Sequence, residues 1–199
     1  MNTENYLKHL KDSYPEMDIQ DICKALYQSC YGSGHFVNSF SSCLERIEKE
    51  YQETDRKEKE LLTQLDGPYV RLDLSIMNRG LSTSTLARMF MLSAKEDPCA
   101  TARLEEKLKI LIRMIHEGFM EEKSLAFIDS WKQEGYPSLH HSEKYRQRYA
   151  PHYRLIQKEM VPLLPVLIAM DQKRKQKDKI TIAIDGHCGA GKTTCGVIL

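Results

Sequence analysis

A mainly α fold is predicted: a helical domain over residues 1–172, then, from residue 180, the first strand, a glycine-rich loop and the start of a helix of an α/β unit. Three observations carry this. Apolar residues recur at spacings of three and four through most of the first 172 positions, the period of helices with one buried stripe. Ser, Thr or Asp stands just ahead of most of these runs, and Gly just behind several. Only 69–74 and 180–184 read as strands.

Taken in order, Thr3 caps a first helix over 3–13 with Tyr6, Leu7 and Leu10 on one side, and Pro15 breaks it. Asp18 caps a second, whose Ile19, Ile22, Cys23, Leu26, Tyr27 and Cys30 form a buried stripe ending at Gly32-Ser33-Gly34. The turn from Tyr31 to Val37 leads into a third helix around 39–53, with Phe40, Leu44, Ile47 and Tyr51 inward; its two glycines are too few for a phosphate loop. Residues 53–60 are almost entirely charged and read as a solvated face or loop. Tyr69-Val-Arg-Leu-Asp-Leu74 alternates after Gly67-Pro68; a lone strand makes no sheet, so it either pairs with something distant or is an extended connector.

Ser82 or Ser84 caps a helix running to about Lys95, with Leu86, Met89, Phe90 and Leu92 apolar. Asp97 and Pro98 open the next as N-cap and first position, and it carries Leu104, Leu108, Leu111, Ile112 and Ile115 before Gly118. Another spans 121–134 with Leu125, Phe127, Ile128 and Trp131, closed by Gly135. Ser142 caps a helix holding Tyr145 and Tyr149, Pro151 opens or kinks the turn after it, and 165–171 continue helically. Short connections between six or more helices describe an all-α domain up to 172. Residues 173–179 contain Lys173, Arg174, Lys175, Lys177 and Lys179 and read as a basic linker.

Composition narrows the classes. A hydrophobic content of 41% supports a real core, and 29% charged residues at a net charge of +1 argue against a nucleic-acid binder driven by a charged tail. No specific nucleic-acid partner is expected. Six cysteines without a C-x-x-C pair, and no signal-like stretch among the first residues, predict reduced thiols in a cytoplasmic protein. The longest apolar run, Val161–Met170, is broken by Pro162 and Pro165 and is too short for a bilayer, so no membrane partner is expected.

The chemistry is concentrated at residues 180–195. Gly186-x-x-x-x-Gly191-Lys192-Thr193 follows an apolar run and matches the phosphate-binding loop. Its four fixed positions arise by chance in about one chain of this length in a hundred, and the strand ahead and helix behind make coincidence rarer still. Glycines let successive amides, here those of about Gly189 to Thr193, point into one concavity that takes phosphate oxygens. In that pattern Gly186, Gly189, Ala190, Gly191, Lys192, Thr193 and Thr194 hold the nucleotide, Lys192 reaches the β and γ phosphates as the catalytic cation, and the Thr193 hydroxyl meets Mg²⁺. ATP or GTP with Mg²⁺ is the expected cofactor.

A second stretch, residues 138–154, gathers arginines, histidines and tyrosines. In one reading Tyr145, Tyr149 and Tyr153 pack at the core edge while Arg146, Arg148 and Arg154 point to water. In another, His140, His141, Arg146, Arg148, His152 and Arg154 form a face for a phosphate or carboxylate. A third reading is a metal-dependent hydrolase site of His35, His140, His141 and Glu143; adjacent His140 and His141 diverge on regular structure, so convergence needs His35 or His152 folded back.

Ile182-Ala-Ile-Asp-Gly with Gly189-Ala-Gly-Lys-Thr-Thr194 resembles the opening of uridine kinases and phosphoribulokinases, and almost equally that of cytidylate kinases. The resemblance covers about twenty residues, and His187 and Cys188 depart from the small or proline residues of that loop, which leaves the subfamily open. The Tyr31–His35 turn together with His140–Arg154 is similar to bacterial kinase-like proteins with a helical front domain. The resemblance implies an ATP-dependent kinase acting on a nucleoside, nucleotide or other small-molecule phosphate acceptor. Since the sequence stops at Leu199, the expectation is the N-terminal part of a truncated P-loop domain, without kinase activity in these residues alone. Cys188, beside the loop, is expected to be shielded from alkylation by ATP. The competing expectation is a helical ligand-binding module for an anionic ligand, with a P-loop remnant of no function.

Overall fold

A computed structural model describes residues 2–33, 39–54, 60–94, 97–177, 179–189, 192, 193 and 196. It is mainly helical, as expected. In chain order the described elements are α1 (Thr3–Ser13), α2 (Ile19–Tyr31), α3 (Phe40–Gln52), β1 (Leu62–Gln64), β2 (Tyr69–Asp73), a 3-10 helix (Leu74–Arg79), α4 (Thr83–Ser93), α5 (Ala100–His116), α6 (Ser124–Gln133), α7 (Glu143–Tyr149), β3 (Tyr153–Gln157), a second 3-10 helix (Lys158–Leu163) and α8 (Leu164–Arg174). They form two compact units that alternate along the chain. The first takes Met1–Gly32, Gln64–Tyr69 and Glu96–Pro151; the second takes Ser33–Thr63, Val70–Lys95 and His152–Leu199.

In the first unit, α2 is buried on nearly every side from Asp21 to Cys30. Ile22, Cys23, Leu26 and Cys30 face Leu104, Leu108, Leu111 and Ile115 of α5, with Tyr6, Leu7 and Leu10 of α1 and Ile128 and Trp131 of α6 completing the core. Each such aliphatic side chain contributes about 1.5–3 kcal/mol by leaving water. Asp18 caps α2 in a full capping box with Asp21, as its position predicts. Two starts differ from expectation. Asn2, not Thr3, caps α1, accepting from the Asn5 amide at 2.9 Å, because the extended cap conformation falls at Asn2 while Thr3 is already helical; the Thr3 hydroxyl donates to Asp66 at 2.6 Å instead. α5 begins at Ala100, since Asp97 is used two residues on, accepting from the Cys99 amide at 2.8 Å.

A polar seam joins α5 to the segment after β1. The Lys107 ammonium donates to the Ser29 hydroxyl at 2.9 Å and to the main-chain oxygen of Asp66, and lies 3.3 Å from the Asp66 carboxylate. The same unit contains groups that burial holds in their uncharged forms. The Cys23 and Cys30 thiols are pushed up chiefly by burial, as are the Tyr27 and Tyr69 phenols. Tyr136 is pushed up to about 12, by burial and then by the nearby Glu105 carboxylate.

Unfolded thiols and phenols ionise near about 8.5 and 10 respectively. The unfolded chain therefore gives up protons that the folded one keeps, and stability falls as pH rises from about 8.5 toward 12. The urea midpoint, followed by the fluorescence of Trp131, the single tryptophan, is expected to be lower at about pH 10.5 than at about pH 8. A midpoint unmoved across that interval contradicts this.

The second unit is built on an antiparallel sheet of order β1-β2-β3, an addition to the all-α expectation for residues 1–172. β2 is the alternating stretch 69–74, and it finds both neighbours: the Asp73 amide donates to Leu61 and the Leu74 amide to His152, each at 2.9 Å. Residues 153–157, the first two of which were read in sequence as part of a turn after Pro151, supply the third strand because their Leu155 and Ile156 complete this core. Cys43 and Ile47 of α3, Leu86 and Met89 of α4, and Leu164 and Leu167 of α8 cover Val70, Leu72 and Ile156. Phe40, expected inward, is 36% exposed; Cys43 and Ile47 are the buried residues of α3, and Leu44 and Tyr51 pack against the same core, as expected. Ser82 caps α4, and Asp171 of α8 ties down the same end, accepting from the Ser82 amide at 2.7 Å and the Thr85 hydroxyl at 3.0 Å. The charged run at 55–59 lies outside the described residues.

Residues 180–187 form no strand, and Ile182 and Ile184 are 42% and 38% exposed. A strand of a parallel sheet takes its hydrogen bonds from neighbours on either side, and among the described residues none stands beside this segment.

Candidate functional site

The glycine-rich segment and the Arg/His/Tyr stretch were the two candidates, and their side chains are placed very differently. Asp185 accepts from the Gly186 amide at 2.7 Å, and the chain turns at Gly189 with φ +80°, a conformation costly for any residue with a Cβ. Among the described residues, a Cβ built on Gly189 meets nothing within 4 Å. Lys192 reaches back over the loop, its ammonium donating to the main-chain oxygens of Gly186 at 2.6 Å and His187 at 2.7 Å. Lys192 and Thr193 are helical, Thr193 is exposed, and Cys188 is an exposed free thiol. Ala190, Gly191 and Thr194 lie outside the described residues. One ammonium held across a glycine turn and a hydroxyl beside it make a donor set that fits phosphate oxygens.

The second candidate is largely engaged within the protein. His141 is buried; its Nδ1 donates to Asp21 at 2.8 Å, and its ring stacks on Tyr145 at 4.3 Å between centroids and 13° between planes. The same Asp21 carboxylate accepts from the Ser142 amide at 3.0 Å and the Ser142 hydroxyl at 2.6 Å. Burial drives the Asp21 carboxyl upward, but the hydrogen bonds from His141 and Ser142 outweigh it and leave it below the usual carboxylate range. Lys24 and Gln20 of α2 donate to the main-chain oxygens of Leu139 and His140 at 2.5 and 2.8 Å, so α2 holds the segment ahead of α7.

His140 itself is exposed, diverging from His141 as adjacent residues do. Arg146 is exposed and donates to Glu143 at 2.6 Å; Arg148 is exposed on α7. His152 and Arg154 belong to the second unit. Arg154, expected in one reading to point to water, is buried, because β3 carries it beside Ile156 into the core, where its guanidinium meets Glu50 in a two-pronged pair at 2.7 and 3.0 Å and lies 5.7 Å from the Phe90 ring centre. Tyr145 and Tyr149 pack with Tyr14 at the core edge, as the first reading holds. For the metal reading, His35 lies outside the described residues, and among those described no group of three or more His, Cys, Asp or Glu is placed to hold a metal.

Two organising residues escaped sequence reasoning. Asp21 sits inside an apolar stripe, and its only trace is the acid three positions after a capping Asp. Glu50 is one of many acids on a helix, and its partner lies 104 residues away.

No family model matches the chain, and searches of curated proteins and of solved structures find no match. No helix among the described residues is long and apolar enough to cross a membrane.

Proposed function

We propose that residues 180–199 bind the phosphates of a nucleoside triphosphate, ATP or GTP, and serve an ATP-dependent phosphotransferase acting on a small-molecule acceptor. The observation that carries this is the Gly186-x4-Gly191-Lys192-Thr193 spacing, supported by the Lys192 ammonium lying across the loop that the spacing defines. Lys192 exchanges its two carbonyl partners for phosphate oxygens, a stronger charge-assisted pairing. Gly189 lets the backbone approach the phosphates closely. The Thr193 hydroxyl would be this chain's residue toward Mg²⁺, which would supply positive charge against the phosphates. Transfer then depends on positioning and charge neutralisation rather than on a covalent intermediate.

The test is calorimetric titration with Mg²⁺-ATP. Lys192→Ala is expected to weaken binding by about 10- to 100-fold, the worth of a hydrogen-bonded charge. Thr193→Ala is expected to weaken it only when Mg²⁺ is present. ATP should also slow alkylation of Cys188. Unmeasurable affinity in the unaltered protein, or equal affinity after Lys192→Ala, removes the proposal.

A further inference from the structure

We infer that the exposed side of α8 and the chain that follows it form a docking surface for an anionic lipid bilayer. α8 buries Leu164, Leu167 and Asp171 on one side. Opposite them, at helical spacing, stand Val166, 51% exposed, then Ala169 and Lys173. The helical hydrogen bonding runs past Arg174, for the Lys177 amide donates to Lys173 at 3.1 Å, which puts Lys177 on the same side as Lys173 and Val166. Arg174, Lys175 and Lys179 add three more exposed cations, and among the described residues no carboxylate pairs with any of the five. Exposed Ile182 and Ile184 follow at once.

Five cations against one acid in the same run, Asp178, which lies outside the described residues, leave the middle of the cluster cationic, with aliphatic residues at both ends. A basic linker needs no exposed isoleucines, and cations at a helix C-terminus complement its dipole only within the last turn, which leaves Lys179 without that role. Nucleic acid is the other large polyanion, but residues 161–199 hold no Phe, Tyr or Trp on which bases stack. An anionic bilayer suits both parts: its surface potential attracts the lysines, and its acyl boundary takes Val166, Ile182 and Ile184. Such surface contact needs no spanning helix; it shares Ile182 and Ile184 with the segment of the nucleotide reading, but its vesicle test uses no nucleotide and fails separately from that reading.

The test is cosedimentation of the full chain with vesicles of phosphatidylcholine alone and of phosphatidylcholine containing roughly one-third phosphatidylserine. Partition to the serine-containing vesicles only, weakening as salt rises, is expected. The triple variant Lys173→Gln, Lys175→Gln, Lys177→Gln is expected to lose about 100-fold in partition, about fivefold for each cation. The double variant Ile182→Ser, Ile184→Ser is expected to bind more weakly while keeping the salt dependence. All five positions are exposed, so the thermal midpoint of each variant should match the unaltered protein and separate lost docking from lost folding. Equal partition to both vesicle types, undiminished binding by the triple variant, or binding to a single-stranded RNA oligomer without affinity for either vesicle overturns the inference.

Discussion

Asp21→Ala is expected to lower the stability of the first unit by about 3–5 kcal/mol, the cost of leaving three buried donors without their acceptor. Asp21 is 0% exposed, and its two oxygens serve His141 Nδ1, the Ser142 amide and the Ser142 hydroxyl. Alanine strands these donors in a site that water does not reach, and each buried unsatisfied group costs about 1–3 kcal/mol. The His141 ring then loses the contact that fixes its stacking on Tyr145. Urea unfolding followed by Trp131 reports this directly, because Trp131 is buried in the same unit and donates to the Pro137 oxygen at 2.8 Å. Adding His141→Phe should restore part of the loss, since a ring that can stack without a partner for its nitrogen removes one stranded donor. A loss below about 1 kcal/mol for Asp21→Ala would show that the carboxylate is not what fastens residues 139–142 to α2.

Gly67→Ala is expected to cost about 3 kcal/mol or more, at the upper end of overpacking. A Cβ there would stand 2.2 Å from the main-chain oxygen of Ser29. That oxygen belongs to the last turn of α2 and cannot swing aside as a side-chain tip can. Relief requires the 64–69 segment to lift, and with it the Asp66 oxygen and carboxylate that hold Lys107. The variant should unfold at lower urea, and the Lys107 contacts should loosen ahead of global unfolding, visible as faster amide exchange in residues 64–69. An unchanged midpoint together with unchanged exchange would mean that the close approach of Gly67 to Ser29 does not exist in solution.

The legible parts of the chain share a property. The cap at Asp18, the stripe Ile22-Cys23-Leu26-Cys30, the Ser82 and Ser142 caps and the Gly135 stop all concern residues within one or two helical turns of each other. Spacing along the chain is enough to reveal them. The glycine-rich loop is legible for the same reason: Gly186 to Lys192 is a local pattern, and the ammonium of Lys192 bonds back only five and six residues.

What stayed hidden joined distant positions. Tyr69–Asp73 advertised itself as a strand but not its partner 80-odd residues on, and the start of Tyr153–Gln157 looked like a turn because Pro151 precedes it. His141 and Arg154 looked like neighbours in one anion-binding face, 13 residues apart in the sequence. Folding gave them to different units and different carboxylates, Asp21 across 120 residues and Glu50 across 104. A buried charge takes the partner that the packing of its element brings to it, whatever its neighbours in the chain.

The sequence by itself therefore determined where most of the helices lie, most of the apolar positions on their buried sides, and that a phosphate-loop pattern lies at residues 186–193, because hydrogen bonds and side-chain contacts within a few residues decide those things. Only the tertiary structure decided which polar groups are consumed inside the protein and which stay open to solvent. That choice is made by contacts between segments a hundred residues apart, and no local spacing records it.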